Sequence, residues 1–287
     1  MIEHSSYFDS VDLFTILAQN SNPLMRLNLM SFIIYTLILN LAAGCSSTSK
    51  LKEKDWSKNT FITTEGEELL YRKYLRKGKY ERLPLFIFLH GAGERGQDNE
   101  AQLQWIAPML SSKKQVKNHP AILVFPQCPK EDYWAPVEVN DGVWKFNSAG
   151  SATPTMEQLI ELIAQLRNDP KVDSDRIYIG GLSMGGFGTF DILSRHPELF
   201  AGAIAICGGG DIKQCPKYQN VPIQIFHGAK DPLVDVQLSR DIYEALEALD
   251  APVKYTEYED GDHLVWNRAF EEPQLLDWLF SQVANVR

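Results

Sequence analysis

The sequence predicts one α/β domain with a mostly parallel sheet that is covered by helices on both faces. From about Phe61 onward, short runs of β-branched and aromatic residues alternate with segments of helical period. Near-continuous apolar runs are typical of strands that are buried on both faces. Alternation of strands with helices favours right-handed crossovers between parallel strands. The chain has 287 residues, which is enough for one such domain with a large core.

The individual elements follow from the same patterns. Strands are predicted at residues 85–89, 121–125, 176–180, 203–207, 221–226 and 253–257. Helices are predicted at residues 155–166, 184–195, 236–249 and 273–283, the last with Pro273 in its first turn. Two further runs within residues 61–77 are separated by Glu65-Gly66-Glu67. This pattern predicts an antiparallel hairpin at the start of the sheet.

The charge of the chain excludes some classes of partner. The formal net charge is −9 at pH 7, and the sequence has no block rich in lysine or arginine. Nucleic acids and anionic membrane surfaces bind basic patches, so neither is expected as the main partner. The sequence carries no signature of an oligomeric state.

The N-terminal segment has the pattern of an export signal. An apolar run from Leu27 to Leu41 follows Met25-Arg26 and leads into Leu-Ala-Ala-Gly-Cys, which ends at Cys45. The run is short for a transmembrane helix and lies close to a site of small residues. Residues 1–24 carry acidic side chains where a signal would be basic, so Met25 is the expected start. Residues 1–44 are therefore interpreted as an upstream segment and a signal peptide.

The small residues before Cys45 resemble a bacterial lipoprotein box, in which the cysteine takes a lipid. The resemblance implies an exported protein that meets the membrane only through this anchor, with a polar tether over residues 45–58. An ordinary signal peptide, or an N-terminal anchor with a chance cysteine, is the alternative.

Export would leave three cysteines in the mature chain, Cys128, Cys207 and Cys215. At most one disulfide can form among these three, and no pair has the spacing of a zinc site.

A glycine-rich turn places Ser183 directly after a predicted strand. Gly181-Leu182-Ser183-Met184-Gly185 matches G-x-S-x-G between a strand and a helix, where a strained turn lifts the serine oxygen clear of the sheet. Ligands of α/β sheets bind at the carboxyl ends of strands. Ser183 is therefore the candidate nucleophile.

A serine nucleophile needs a base and an acid that orients the base, and the expected chain order is serine, acid, histidine. His263 is the candidate base, because it lies in the loop between the final strand and the final helix. His227 also follows Ser183, but it ends an apolar run and leaves no earlier strand-end loop to supply the acid. Asp231 is the candidate acid, in the loop after the strand at 221–226. Asp235 is the alternative, although it suits a helix cap better.

An oxyanion formed during acyl transfer needs two fixed backbone donors. The N–H of Met184, at the start of the helix after the serine, is the first candidate. The second is the N–H of Ala92, with Gly93 as the alternative, in the glycine-rich loop that follows the strand at 85–89. Within this loop His90 is expected to hydrogen-bond locally. The adjacent Glu94 and Arg95 are expected to form a structural ion pair.

Three tryptophans are candidate substrate contacts. Trp134 and Trp144 lie in a long loop after the strand at 121–125, and Trp266 follows His263 closely. Such aromatic side chains either stack on a sugar or aromatic acyl group, or pack the loops onto the domain. Both interpretations are open from the sequence, and packing is the more common one.

Four motifs together resemble the α/β-hydrolase fold, and within it an exported carboxylesterase group. These are His90-Gly91-Ala92-Gly93-Glu94-Arg95-Gly96, Phe125-Pro126-Gln127-Cys128-Pro129, the Ser183 turn, and His227-Gly228-Ala229-Lys230-Asp231. The group includes feruloyl and acetylxylan esterases, polyhydroxybutyrate depolymerases and predicted phospholipases or peptidases. The resemblance covers the chain from about Phe61 onward, so the catalytic domain is placed at residues 59–287.

The resemblance implies Ser183, Asp231 and His263 as a catalytic triad, with no metal or organic cofactor. No large insertion precedes Asp231, so no large lid is expected and bulky or polymeric esters could enter. The predicted function is a serine hydrolase that cleaves carboxylic esters, such as feruloyl or acetyl esters of plant polysaccharide. A serine peptidase or a polyhydroxyalkanoate depolymerase is the alternative enzyme. A surface binding protein that retains the fold is the alternative outside enzymes.

Overall fold

The structure is a computed structural model that describes residues 55–75, 78, 80–140, 143–146 and 150–284. The predicted signal peptide, Cys45 and the tether up to residue 54 lie outside the described residues. Within the described residues, no helix has both the length and the apolar character that are needed to cross a membrane.

The described residues form ten strands. Their bounds are β1 Trp56–Ile62, β2 Glu68–Leu75, β3 Leu83–Leu89, β4 Ile122–Gln127, β5 Val137–Asn140, β6 Val143–Phe146, β7 Val172–Leu182, β8 Gly202–Ile206, β9 Ile223–Gly228 and β10 Val253–Tyr258. Eight of them make one sheet in the order β1-β2-β4-β3-β7-β8-β9-β10, and β5 pairs with β6 alone.

Eight α-helices connect or cover the strands in the part of the chain that the structure describes. Their bounds are α1 Ala107–Leu110, α2 Lys113–Asn118, α3 Pro154–Arg167, α4 Met184–Arg195, α5 Cys215–Tyr218, α6 Gln237–Glu247, α7 Trp266–Glu271 and α8 Leu275–Ser281. Short 3-10 turns include Ala92–Glu94, directly after β3.

The topology confirms the predicted fold class. Strands β1 and β2 form the antiparallel hairpin, with Trp56 opposite Tyr74 and Gly66 at φ +92° in the turn. Strand β2 also pairs antiparallel with β4, whereas the neighbours from β4 through β3, β7, β8 and β9 to β10 are parallel. The carboxyl ends of the parallel strands therefore meet at one edge of the sheet.

The two faces of the sheet have separate apolar cores. Every residue of β3 is buried, and its side chains alternate between the faces. Leu85 and Ile87 pack in one cluster with buried residues of α3, α4 and α6. Phe86 and Phe88 pack on the other side with residues of α1, α7 and α8. Helices thus cover both faces, as the composition of the strands predicts.

Candidate active site

The turn that carries Ser183 is a strained connection between β7 and α4. Ser183 has φ 53° and ψ −119°, a conformation that non-glycine residues rarely adopt. A Cβ at Gly181 would lie 2.2 Å from the carbonyl O of Gly185, and a Cβ at Gly185 would lie 2.1 Å from that of Leu89. The Ser183 N–H donates to Ile206 O at 2.8 Å and ties the turn to β8. Close backbone approach therefore explains the glycines of the motif.

We expect Gly185→Ala to destabilise the domain by at least about 3 kcal/mol, because the new methyl group would overlap the backbone of β3 rather than a movable side chain. Chemical denaturation followed by circular dichroism measures the free energy of unfolding. Gly93→Ala is the matched control, since no atom lies within 4 Å of its added Cβ. Equal stability of the two variants would contradict the close packing of this turn.

The structure brings Ser183, His263 and Asp231 into one line of hydrogen bonds. The Ser183 Oγ lies 2.9 Å from Nε2 of His263, and Nδ1 of His263 lies 2.6 Å from Oδ2 of Asp231. The three residues follow β7, β10 and β9, so each lies at the carboxyl edge of the sheet. All three side chains are almost completely removed from solvent. This is the arrangement in which a histidine can take the serine proton while a carboxylate holds its tautomer.

The neighbouring acids that could have filled this position lie elsewhere. Asp235 Oδ1 accepts from the N–H of Gln237, the first residue of α6, although the N-cap residue of this helix is Val236. Asp262 is exposed, and its Oδ1 accepts from the N–H of Leu264.

Asp231 is held as an anion by donors on both of its oxygens. Oδ1 accepts from the N–H groups of Leu233 at 2.8 Å and Val234 at 2.9 Å. Oδ2 accepts from His263 and also from Nε2 of His227 at 3.2 Å. Burial acts to raise the pKa of Asp231, but the hydrogen bonds from His227, His263 and the backbone outweigh it and hold the pKa well below its usual value.

His227 is a site residue that sequence reasoning missed. It is fully buried at the end of β9, and its Nε2–H also points to Val234 O at 3.1 Å. The Oγ of Ser239 lies 2.7 Å from Nδ1 of His227 and 2.9 Å from Gly208 O, so its single proton can be donated to either of these two acceptors. The available signal was the spacing of four residues between His227 and Asp231 across a tight glycine turn. The His227 imidazole therefore holds the Asp231 carboxylate in position by a hydrogen bond, and His263 remains the candidate base.

We expect His227→Phe to lower the free energy of unfolding by about 1–3 kcal/mol, because a ring of similar size leaves polar atoms of Asp231, Val234 and Ser239 without their buried partner. Thermal and urea denaturation at neutral pH measure the loss. His196→Phe is the control, since this side chain is 40% exposed and its replacement should change stability by less than about 0.5 kcal/mol. A His227→Phe variant as stable as this control would contradict the role of His227 in holding the Asp231 carboxylate.

The glycine-rich loop after β3 lies directly against the serine turn. A Cβ at Gly91 would lie 3.7 Å from the Cβ of Ser183. Ala92 begins the 3-10 turn in this loop, and Met184 is the first residue of α4, whose first N–H groups have no acceptor within the helix. Both candidate oxyanion donors are therefore in elements that adjoin the nucleophile, and their catalytic role stays a prediction.

His90 fixes the start of that loop, as predicted. Burial lowers the pKa of His90 to about 4, so the neutral ring can use its two nitrogens differently. Nδ1 donates to Gly91 O at 2.6 Å, and Nε2 accepts from the N–H of Cys128 at 3.0 Å. The imidazole thereby ties the loop after β3 to the end of β4.

The predicted ion pair between Glu94 and Arg95 is wrong. Arg95 donates to three backbone carbonyls and lies over the ring of Tyr133, with 4.5 Å from guanidinium carbon to ring centroid. The Glu94 side chain turns inward, and its Oε1 accepts from Nε1 of Trp105 at 2.9 Å. Glu94 ends the 3-10 turn and Arg95 follows it in extended conformation, so the two side chains point in different directions and each finds a separate partner.

Glu94 is a buried acid with few compensating charges. Burial raises the pKa of Glu94, and this effect is offset only in part by the bond from Trp105, by nearby backbone N–H groups and by the charge of His263. A carboxyl group with a raised folded-state pKa stabilises the fold below the ordinary carboxyl pKa of about 4.3. That contribution is lost as the pH rises through the folded-state pKa.

We therefore expect Glu94→Gln to gain stability relative to the unmodified protein as the pH rises from about 4 to 7. The amide oxygen of the variant can still accept from Trp105. Urea denaturation at both pH values measures the difference. Glu65→Gln, which changes an exposed turn residue, is the control and should show no such trend. A Glu94→Gln variant whose relative stability falls over the same pH interval would contradict this.

The structure buries two of the candidate tryptophans, Trp134 and Trp266, and their contacts with a substrate stay predictions. Trp134 has no exposed surface, and its Nε1 donates to His90 O at 3.1 Å. Trp266 is 4% exposed and packs edge-on against the ring of His263, with centroids 5.6 Å apart. Trp144 is half-buried in β6 and stacks on Phe187 of α4 at 5.7 Å, so its contact with a substrate stays a prediction. The apolar area of these rings is used for packing.

One cluster near the triad has the residue types of a metal site. Ligand atoms of Cys207, His227 and Asp231 lie within 4.8 Å of one another. Both ring nitrogens of His227 and both oxygens of Asp231 already make hydrogen bonds. Burial raises the pKa of Cys207 well above its usual value, which keeps the thiol protonated, whereas metals bind the thiolate. The donor set therefore does not fit a metal ion.

Fold and site together define a serine hydrolase built on an α/β sheet. The chain belongs to the phospholipase/carboxylesterase family, whose profile matches residues 75–274. Its members are hydrolases, and this assignment accounts for the serine turn, the parallel sheet and the histidine loop at once.

Individual proteins extend this picture. A solved structure of a thermostable esterase is 34% identical, has a TM-score of 0.73 and covers 80% of this chain, which spans 64% of that one. The bifunctional acetylxylan esterase/xylanase XynS20E of Neocallimastix patriciarum is 31% identical over 86 residues, which is 30% of this chain and 13% of that protein. Acyl-protein thioesterase 1 of Neurospora crassa is 25% identical over 199 residues, or 62% of this chain and 78% of that protein.

Proposed function

We propose that the protein hydrolyses carboxylic esters through an acyl-enzyme on Ser183. The observation that supports this is the unbroken line of hydrogen bonds from Ser183 through His263 to Asp231. His263 Nε2 takes the hydroxyl proton as Ser183 attacks the carbonyl carbon, and Asp231 stabilises the imidazolium that forms. The N–H groups of Met184 and Ala92 receive the oxyanion.

The second half of the reaction repeats the first with water. The protonated His263 gives its proton to the leaving alcohol, which departs and leaves Ser183 acylated. Water then loses a proton to His263 as it attacks the acyl carbonyl, and His263 gives this proton to Oγ of Ser183 as the ester bond breaks and the carboxylic acid leaves. No metal or organic cofactor takes part in these steps as proposed.

The proposed substrates are short-acyl and feruloyl esters linked to plant polysaccharide. Support comes from the local similarity to a protein named acetylxylan esterase/xylanase and from the esterase with 34% identity. Because a thioesterase also aligns with most of the domain, an acyl thioester is the second candidate.

A panel of substrates tests this proposal. The purified chain is assayed with p-nitrophenyl acyl esters, methyl ferulate, acetylated xylan, polyhydroxybutyrate, an acyl thioester and a peptide anilide. Hydrolysis of acetylated xylan or methyl ferulate with the highest kcat/KM is the expected result. Preference for the peptide anilide would show a peptidase instead, and no turnover of any substrate would favour a binding protein.

We also propose that the protein is exported and lipid-anchored through Cys45, which rests on the sequence of residues 25–45. Metabolic labelling with a fatty acid should mark the protein with its original sequence and fail to mark the Cys45→Ala variant. Label retained by the variant would contradict the anchor. Cys215→Ala is the control, because that thiol is buried in the domain.

A further inference from the structure

Two imidazole rings share one oxygen of the buried carboxylate of Asp231. Nδ1 of His263 lies 2.6 Å from Oδ2, and Nε2 of His227 lies 3.2 Å from the same atom. The side chains of His227 and Asp231 have no exposed surface, so bulk water does not compete for these hydrogen bonds. The second histidine therefore acts on the atom that orients the proposed base.

The neighbours of His227 fix its tautomer. Nε2 faces two acceptors, Oδ2 of Asp231 and the carbonyl O of Val234 at 3.1 Å, so this nitrogen carries the proton. Nδ1 is then an acceptor, and the hydroxyl of Ser239 lies 2.7 Å away. Ser239 is fully buried on α6, which holds the ring in place. His227 is therefore a fixed donor toward Asp231.

Anchoring of the carboxylate does not by itself account for the bond from His227. Oδ1 of Asp231 already accepts from the N–H groups of Leu233 and Val234, which hold the carboxylate through its other oxygen. An N–H bond to Oδ2 withdraws negative charge from the oxygen that stabilises the imidazolium of His263. The bond from His227 thus makes protonation of His263 in acid less favourable.

We propose that His227 is a positioning residue that extends ester hydrolysis to lower pH, because its Nε2–H shares Oδ2 of Asp231 with His263. The inference rests on the proposed function, in which neutral His263 takes the serine proton. The rate then falls in acid as His263 becomes protonated. A bond that weakens the interaction of Asp231 with the imidazolium moves this fall to lower pH.

The charged groups that face His227 from other elements keep one charge state over the range of the assay. Glu257 lies opposite His227 in the pairing of β9 with β10, and the hydrogen bond from Arg240 of α6 lowers the pKa of Glu257 to about 2. Burial raises the pKa of Cys207, directly after β8, well above its usual value. Between about pH 5 and pH 8 the first stays an anion and the second a neutral thiol.

Two acids lie near His263. Asp262 adjoins it in the loop but is exposed, and its Oδ1 accepts from the N–H of Leu264. Burial raises the pKa of Glu94, and the charge of His263 acts on this carboxyl group. Because Glu94 can titrate close to the acid limb of the rate profile, the experiment includes a background in which it is replaced.

The experiment measures kcat/KM for p-nitrophenyl butyrate between about pH 4.5 and 8.5, with the product read at its isosbestic wavelength. His227→Asn and His227→Gln are a matched pair, since both remove the ring. The amide nitrogen of glutamine stands as many bonds from Cα as Nε2 does, so it can donate to Oδ2 of Asp231. Asparagine reaches only the position of Nδ1, beside Ser239.

We expect the midpoint of the acid limb in His227→Asn to lie about 0.5–1 pH unit above that of the original sequence. On that limb the variant then loses roughly 3- to 10-fold in rate relative to its own plateau. His227→Gln should keep the midpoint within about 0.2 pH unit, because it retains the donor. If His227→Asn does not fold, as judged by circular dichroism, His227→Phe takes its place, since it also lacks the donor and fills the volume of the ring.

Two controls assign the shift to the bond with Asp231. The same pair of variants in a Glu94→Gln background should show the same difference in midpoint, since that background removes the titration of Glu94. His196→Asn, at a side chain that is 40% exposed, should leave the midpoint in place. A purely structural His227 would lower the rate at every pH without moving the midpoint.

The outcomes separate this inference from the proposed function. An unchanged midpoint in His227→Asn would overturn the role of His227, as would an equal shift in His227→Gln or a shift that vanishes in the Glu94→Gln background. Each of these leaves the ester hydrolase intact. Absence of ester turnover would overturn the proposed function. The pH dependence of fluorophosphonate labelling at Ser183, which also needs a neutral His263, would then test the role of His227, and absence of labelling would overturn it too.

Discussion

Replacement of Ser183 by alanine is expected to lower kcat for ester hydrolysis about a million-fold. The hydroxyl lies 2.9 Å from Nε2 of His263, so its loss removes the attacking atom while the oxyanion donors and the fold remain. Steady-state hydrolysis of a p-nitrophenyl ester measures the rate. Labelling with a fluorophosphonate probe should disappear in the same variant.

Ser194→Ala is the matched control for this experiment. Ser194 lies on the same helix, α4, and its hydroxyl donates to Asp191 O at 2.7 Å. Its loss should leave both hydrolysis and labelling within a factor of about two, as for a surface change away from the site. A Ser183→Ala variant that still hydrolyses ester at more than a hundredth of the original rate would contradict its role as nucleophile.

Asp231→Asn is expected to lower kcat about ten-thousand-fold. Two backbone N–H groups bind Oδ1, so they will select the amide oxygen for that position. The amide NH2 then replaces Oδ2, where it faces the N–H groups of His227 and His263. His263 can relieve the clash by moving its proton from Nδ1 to Nε2, which leaves no lone pair for the proton of Ser183.

Asp262→Asn tests whether this loss is specific. Asp262 adjoins His263 in sequence, but it is exposed, and its Oδ1 accepts from the N–H of Leu264 at 2.8 Å. Its kcat should change by less than about threefold. If the two asparagine variants lost activity equally, the carboxylate at 231 would not be the group that orients the base.

The roles of Ser183, Asp231 and His263 could be predicted because each residue follows a strand, in the chain order expected of serine, acid and histidine. Parallel strands place their carboxyl ends at one edge, so a serine, an acid and a histidine that each follow a strand must come together there. The apolar runs mark those strands clearly, and the observed β7, β9 and β10 differ from the predicted ranges by only a few residues.

Other backbone elements were not predicted, because they are short or depend on single backbone angles that the periodicity of the sequence does not record. The segment between β4 and α3 contains the small hairpin β5–β6 where the sequence indicates only a long loop. The final helix begins at Leu275 rather than at residue 273, because Gln274 adopts φ 67° and separates it from α7. Short helices such as α1 and α5 span about one turn each, which is too short for a helical pattern to emerge.

The side chains around the triad show the same limit. Nothing in the sequence distinguishes a tryptophan that stacks on a sugar from one that packs behind a histidine, as Trp266 does. Nor does the order Glu94-Arg95 reveal that the two charges point apart. The direction of each of these side chains depends on the space that remains beside its loop once the core has packed. That space is set by the tertiary structure.

The burial of the cysteine thiols affects how readily oxidants and alkylating reagents can modify the protein. The three described cysteines are reduced and buried, and the Sγ of Cys207 lies 3.7 Å from the carbonyl O of His263, against the loop that carries the base. Oxidants and alkylating reagents act on exposed thiolates, and none of these sulfur atoms offers one. The thiol that adjoins the catalytic loop is thus a poor target for peroxide and for disulfide exchange.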